Sequence, residues 1–373
     1  MWNMKRYLIV GAGILGATTA YRLAKAGAEV LIVDRAEVGQ ATDAAAGVIC
    51  PWLSQRRNKA WYTLAKSGAR MYPALVEELI QDGETETGYA KVGALSLHTD
   101  EKKLLQMKER ALKRREDAPE IGEVTLLNPE QTRALFPLVD QNYSSIHISG
   151  AARVDGRVFR NALLHAAQQY GATLLTGDAT VHHKGSQVKG VFVDGTCYEA
   201  DMVIATCGAW MNDFLLPLGV HFQATSQKGQ ILHLALSAQD TKNWPVLMPP
   251  TSQSIVPFDQ RLVIGATHEN DTGFDLRVTA GGVHDILSKA IQVLPSIANS
   301  TVEEARVGFR PFTPGFLPVI GGIPNIQGLL LANGLGSSGL TTGPYLGTQL
   351  AKLALGEEYE INLADYAVEG AIN

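Results

Sequence analysis

The sequence predicts an α/β protein of two lobes, and three stretches carry that prediction. The first is a strand–turn–helix–strand unit at the N-terminus. The second is a succession of strands between residues 220 and 302 with one helix among them, which reads as an antiparallel sheet covered on one face and open on the other. The third is a second glycine-rich strand-to-helix junction beyond residue 330, which returns the C-terminus to the first lobe. At 373 residues the chain is long enough for two cores, since compact domains run to about 100–200 residues.

The N-terminal unit runs Tyr7-Leu8-Ile9-Val10 into Gly11-Ala12-Gly13-Ile14-Leu15-Gly16, continues as an apolar periodic helix through Ala24, and closes with Val30-Leu31-Ile32-Val33 and Asp34. Each part has a mechanical reason. Gly11 permits the tight turn, Gly13 has no side chain to block a pyrophosphate, and Gly16 lets the helix lie close on the strand. The helix N-terminus offers free N–H groups and a partial positive charge to phosphates. Asp34 stands 23 positions after Gly11, near the spacing of about 20 at which a carboxylate accepts from ribose hydroxyls. The unit is read as a Rossmann-like dinucleotide cradle.

A net charge of −5 with 18% charged residues leaves no basic footprint for nucleic acid, which is set aside as a partner. Cys50, Cys197 and Cys207 lie far apart and form no C-x-x-C, so neither a metal site nor a disulfide framework is signalled, and a cytoplasmic location is expected. The start Met1-Trp2-Asn3-Met4-Lys5-Arg6 passes directly into the first strand, so no signal peptide is expected. No apolar run reaches the ~18 residues a transmembrane segment needs. Oligomeric state is left open.

After Asp34 comes Arg35 and then the small-residue run Ala41-Thr42-Asp43-Ala44-Ala45-Ala46-Gly47-Val48. Small residues let backbone approach a ligand, and Thr42 is expected to cap a helix beginning there while donating to a phosphate; a plain loop with an alanine-rich helix is the other reading. Lys59 to Ile80 has the helical period of a packing helix. The polar turn at residues 81–88 is where the chain leaves the first lobe. A strand over 94–98 precedes a strongly charged helix from Glu101 to Arg115, read as a solvated face that asks for no chemistry. A short helix over 128–137, a strand at 145–148 and an amphipathic helix from Phe159 to Tyr170 follow. Short strands then lead to Met202-Val203-Ile204-Ala205, which enters Thr206-Cys207-Gly208; such an end can abut a cofactor or make a simple turn. Strands are expected at 230–236, 253–256 and 261–265, with a helix over 283–294.

The ordered set of motifs resembles the flavin-dependent amine and D-amino-acid oxidoreductases, with a pattern near glycine oxidase, the sarcosine oxidases and the D-amino-acid dehydrogenases. It comprises G-x-G-x-x-G with Asp34, A-T-D-A-A-A-G-V, V-I-A-T-C-G-A-W, S-I-V-P, V-I-G-A-T, G-F-R-P and the closing G-L-G-S-S-G-L-T-T-G-P. The resemblance implies a Rossmann-like FAD-binding domain over 1–82, 146–220 and 305–373, and an antiparallel-sheet substrate domain over 83–145 and 221–304. FAD would be non-covalent, because no cysteine lies near Arg310. Gly11, Gly13, Ile14, Leu15 and Gly16 would hold its pyrophosphate, Asp34 and Arg35 its adenosine. Ala41, Thr42, Asp43, Ala46, Gly47 and Val48 would line the phosphate and isoalloxazine side. Thr180 would meet the adenine and Gly208 the cofactor. Gly334, Leu335, Gly336, Ser337, Ser338, Gly339, Leu340, Thr341 and Thr342 would put N–H groups and a helix N-terminus by the flavin pyrimidine edge.

For substrate, the resemblance implies that Arg310 clamps an amino-acid carboxylate, for which a guanidinium fork is well shaped. Arg306, four residues earlier on the same strand, is a weaker candidate that need not share its face. Ser254 stands where glycine oxidase has tyrosine, and Ser337 where it has arginine, which puts glycine in doubt as substrate. His268 falls at a pocket-lining position. The implied reaction is hydride transfer from a small amino acid or amine to the flavin, giving an imine that water hydrolyses to an oxo acid. Dioxygen or another acceptor would take the electrons, and no side chain is assigned as catalytic acid or base. A nicotinamide-dependent dehydrogenase and a non-catalytic flavoprotein stand as alternatives.

Overall fold

A computed structural model describes residues 5–236 and 240–373; the expectation resting on Met1 to Met4 lies outside them. The N-terminal unit forms as β1 (Arg6–Val10), α1 (Ile14–Lys25) and β2 (Glu29–Asp34). It seeds a six-stranded sheet in the order β19 (Val319–Gly322), β20 (Leu329–Asn333), β13 (Met202–Ala205), β1, β2, β9 (Thr173–Thr176). All its pairings are parallel except β19 with β20. The central strands are apolar on both faces, as Leu8, Ile9, Ile32 and Ile204 show by complete burial, because helices cover one side and other sheets the other.

The second large sheet has eight strands in the order β18 (Thr301–Phe312), β14 (Thr225–Ala235), β17 (Arg261–Gly265), β16 (Ser254–Phe258), β15 (Val246–Met248), β5 (Ala94–His98), β7 (Ser144–Ile148), β6 (Val124–Leu127). It is antiparallel except where β15 meets β5. A meander of β10 (Ala179–Lys184), β11 (Gln187–Val193) and β12 (Thr196–Glu199), and a small sheet of β3 (Val48–Ile49), β8 (Ala152–Val154) and β4 (Tyr89–Ala90), complete the strands. The remaining helices are α2 (Lys59–Gln81), α3 (Glu101–Arg115), α4 (Pro129–Leu135), α5 (Gly156–Gln169), α6 (Met211–Leu215), α7 (Ala280–Val293) and α8 (Gly339–Leu355). None in the described residues is long and apolar enough to cross a membrane.

Two expectations need correction. No helix begins at Thr42, where the chain makes turns; its hydroxyl instead accepts from Ile14 N at 3.0 Å and caps α1 from another segment. The expected lobe divisions at 145/146 and 304/305 fall inside β7 and β18, and we propose that they be moved to the ends of those strands, since a paired strand cannot be shared between separate cores.

His233 on β14 is 2% exposed. Burial, with Arg306 and Arg261 nearby, pulls its pKa from 6.5 down to about 4. Between these values the unfolded chain binds more protons than the folded one, so stability is lost as pH falls from 6.5 towards 4. Urea unfolding midpoints should fall over that range in the parent and fall less in His233→Gln; an equal fall in both would refute the assignment.

Candidate active site

The parallel strands β1, β2, β13 and β20 all end at one cleft of about 400 Å³, whose opposite wall is the β14–β18 part of the second sheet. Ligands of open α/β sheets bind outside the carboxyl ends of the strands. At the first junction Gly11 has φ +102°, and a Cβ there would lie 2.5 Å from Thr206 O. The Thr206 hydroxyl donates to Gly11 O at 2.8 Å, so β13 locks the turn. Gly16 stands behind the wall, where a Cβ would come 1.9 Å from Gly11 O; it is a packing glycine.

The Asp34 carboxylate accepts from Ala12 N at 2.6 Å, Ala36 N at 2.6 Å and Gln40 Nε2 at 2.8 Å. A carboxylate has about four acceptor positions, so three protein donors leave about one for a ribose hydroxyl. Arg35, paired with Glu37 at 2.6 Å, lies 5.5 Å from the centre of the Trp210 ring. Thr180 on β10, Cys207 and Gly208 complete this end of the wall. Burial pushes the Cys207 thiol up to about 12, so it is protonated and unreactive at neutral pH.

The other expected cofactor residues divide into two groups. Gly13, Ile14, Leu15, Ala41, Thr42, Ala46, Gly47, Val48, Gly334, Leu335, Gly336, Ser337, Gly339, Leu340 and Thr341 line the cleft. Asp43, Ser338 and Thr342, like Gly16, are engaged elsewhere. Asp43 pairs with Arg160 at 2.6 Å, Ser338 Oγ accepts from Trp61 Nε1 at 3.1 Å, and the buried Thr342 donates to Ser338 O at 3.0 Å. The second junction is braced from outside by Tyr72, whose hydroxyl donates to Leu340 O at 2.6 Å. The first residues of α8, Gly339, Leu340 and Thr341, line the cleft, so the helix start, with its unpaired N–H groups and positive dipole end, lies at the cleft wall.

Arg310 stands on β18 opposite Gln227 on β14. Its Nη1 donates to Gln227 Oε1 at 2.9 Å and Thr267 O at 3.0 Å. The guanidinium occupies the space over Gly229, where a Cβ would lie 2.6 Å from Nη2. Among the described residues it makes no ion pair; the nearby Glu269 is held by Thr267 Oγ1 at 2.6 Å and Gln230 Nε2 at 2.7 Å. Burial lowers the Arg310 pKa to about 10, which leaves it charged at neutral pH. Ser252, Ser254, His268 and Ser337 line the same cleft. Burial, then Arg310 and Lys289, lower the His268 pKa from 6.5, so its imidazole is neutral at pH 7.

Arg306 requires a correction: four residues along a strand are two full alternations and return to the same face. Its Nη1 donates to Asp43 O at 3.1 Å, on the side where Gly308 meets Ala44. It holds the small-residue segment and does not line the cleft. Several wall residues escaped the sequence reading, among them Gln40, Trp210, Ser252 and Phe309. Trp210 closes the V-I-A-T-C-G-A-W motif, whereas nothing local marks Ser252 or Gln40.

A dinucleotide cradle facing an antiparallel sheet with an unpaired guanidinium is the arrangement of a flavin oxidoreductase, and the donor set suits FAD. Pyrophosphate would meet α1, ribose Asp34, and the flavin edge the start of α8. Residues 6–353 match the profile of the FAD dependent oxidoreductases, and the chain belongs to that family, which removes both the nicotinamide and the non-catalytic alternatives. It is 58% identical over 371 residues to the uncharacterized oxidoreductase YurR of Bacillus subtilis (strain 168), covering 99% of this chain and 100% of that one. The crystal structure of iminodiacetate oxidase from Chelativorans sp. BNC1 superposes with a TM-score of 0.94 at 43% identity, over 97% of this chain and 98% of that one. Glycine oxidase from Geobacillus kaustophilus gives 0.84 at 26% identity, over 98% and 99%.

Proposed function

We propose that this protein oxidises the C–N bond of a small amino acid or amine that carries a carboxylate. The observation that supports it most is Arg310, a buried guanidinium with two neutral acceptors and no carboxylate partner among the described residues. Such a cation is costly until an anion meets it. FAD, when bound, accepts the hydride released from the carbon next to nitrogen. Arg310 fixes the carboxylate bidentately and so orients that C–H bond. The neutral His268 and the hydroxyls of Ser254 and Ser337 line the cleft, and one of them would accept from the amine N–H, keeping the nitrogen lone pair free to form the C=N bond as the hydride leaves. The N–H proton passes to solvent, and water hydrolyses the imine to an oxo acid and an amine.

Serines in place of larger side chains leave room beyond the nitrogen, and the likeness to an iminodiacetate oxidase favours N-substituted glycines over glycine itself. The test is anaerobic bleaching of the flavin by iminodiacetate, sarcosine, glycine, D-amino acids and cyclic imino acids. Bleaching by dithionite alone would refute the reading. Peroxide formed in air tells dioxygen from another acceptor. Acid precipitation should release all the flavin, because Cys207, the one cysteine on the cleft wall among the described residues, is buried with its thiol held protonated and directed at Val10 O; a fluorescent band on a denaturing gel would contradict this.

A further inference from the structure

The neighbours of Arg310 are arranged so that none of them neutralises it. In the pairing of β14 with β18, Gln227 stands directly opposite Arg310, and directly opposed residues project from the same face of a sheet within reach of one another. A long side chain at that position meets the guanidinium, and the one present is a neutral amide. Its Oε1 accepts from Arg310 Nη1 at 2.9 Å, while its Nε2 donates to Asn270 Oδ1 at 2.8 Å. An amide that accepts at one end and donates at the other has its orientation set from both sides. Thr267 O takes the second Nη1 proton at 3.0 Å, and Thr267 is tied in turn to β14, its N donating to Gln230 O at 3.1 Å. A guanidinium carries five N–H donors. With both of those on Nη1 used, the Nε–Nη2 edge, which bonds no protein atom among the described residues, is the edge left for a bidentate anion.

The carboxylate whose field reaches Arg310 is held off it. Glu269 lies close enough to favour the charged guanidinium, yet its Oε1 is engaged by Thr267 Oγ1 at 2.6 Å and Gln230 Nε2 at 2.7 Å, and its Oε2 lies 3.8 Å from Nζ of the fully buried Lys228. A cation without a counter-ion in a partly desolvated site costs stability. Such a cost is retained where binding an anion requires it, which is the usual opposition between stability and function.

We propose that Gln227 is the positioning residue that sets the preference of this site for carboxylate-bearing substrates: a neutral acceptor stands where a carboxylate would be a permanent counter-ion, and it holds one edge of Arg310 so that the other meets the substrate. The inference rests on the reading that Arg310 takes the substrate carboxylate. Gln227→Glu keeps the length and shape of the side chain and exchanges only the amide for a charge. Asn270 accommodates the exchange by turning its own amide to donate through Nδ2. Arg310 then has its counter-ion within the protein, and a second carboxylate arriving from solvent meets a neutral pair and a like charge.

The test titrates the FAD-loaded full chain with oxydiacetate, a dicarboxylate with an ether oxygen in place of nitrogen and so no C–N bond to oxidise. Perturbation of the flavin absorbance gives its affinity, and thermal unfolding without oxydiacetate gives the melting temperature. Gln227→Glu should bind oxydiacetate at least about tenfold more weakly than the parent, because like charges are brought together at the site, and should melt at or above the parent temperature, because the cation is paired. Gln227→Leu removes the acceptor without supplying a charge; it should melt below the parent and bind oxydiacetate more tightly than Gln227→Glu does. A glutamine of merely structural importance would lose stability and affinity together in both variants. Parental affinity in Gln227→Glu, or a melting temperature that falls along with its affinity, would overturn the proposal. Arg310→Ala tells the two failures apart: parental affinity there removes the carboxylate reading and this inference with it, whereas weak binding there with parental affinity in Gln227→Glu removes the role of Gln227 alone.

Discussion

Arg310→Ala is expected to lower kcat/KM for a carboxylate-bearing amine by roughly 100-fold or more, while the purified protein keeps its full flavin spectrum. Truncating one partner of a buried, hydrogen-bonded charge pair costs about 2–5 kcal/mol, and tenfold in affinity is about 1.4 kcal/mol. The loss should appear mainly in KM, because the guanidinium holds the carboxylate in ground state and transition state alike. Arg310→Lys should recover only part of it: an ammonium at this position cannot bond Gln227, Thr267 and both carboxylate oxygens together. Anaerobic flavin-reduction titrations of parent and variants make the measurement. Parent-like substrate affinity in the alanine variant would remove Arg310 from the site.

Gly11→Ala is expected to yield protein that purifies with little or no FAD. Two penalties combine, since φ is +102° and the new Cβ would lie 2.5 Å from the Thr206 carbonyl oxygen and 2.9 Å from its carbon. Relief requires β1 and β13 to separate where their ends form the pyrophosphate cradle. Gly27→Ala serves as the comparison. It has φ +83° with nothing within 4 Å, so it bears backbone strain alone, about 1–2 kcal/mol, and should keep its flavin. The ratio of flavin to protein absorbance after gel filtration distinguishes them. Equal flavin content in the two would show that the contact with Thr206 is unimportant.

The two junctions differ in how openly they declare themselves. The first is legible because every contributor lies within residues 7–34: the apolar runs mark the strands, the glycines mark the turn, and the carboxylate follows at a fixed distance. Arg310 was legible in the G-F-R-P motif, yet its isolation from carboxylates depends on Gly229 making room and on Glu269 being held by Thr267 and Gln230. Those neighbours come from β14 and from the segment after β17.

Local pattern alone therefore determined the α/β class and the cradle at Gly11–Gly16 with Asp34, while Arg310 was singled out by the resemblance that its G-F-R-P motif carries. The tertiary structure decided which neighbours face the cleft. It turned Asp43, Ser338 and Thr342 away from it, placed Ser252 and Gln40 on its wall, and made Thr42 the cap of a helix 28 residues earlier in the chain. The reason is physical. Periodicity and turn chemistry act within a few residues, so one segment reveals them, whereas the direction of a loop side chain is set by the register of strands hundreds of positions apart, such as β1 with β13 and β14 with β18.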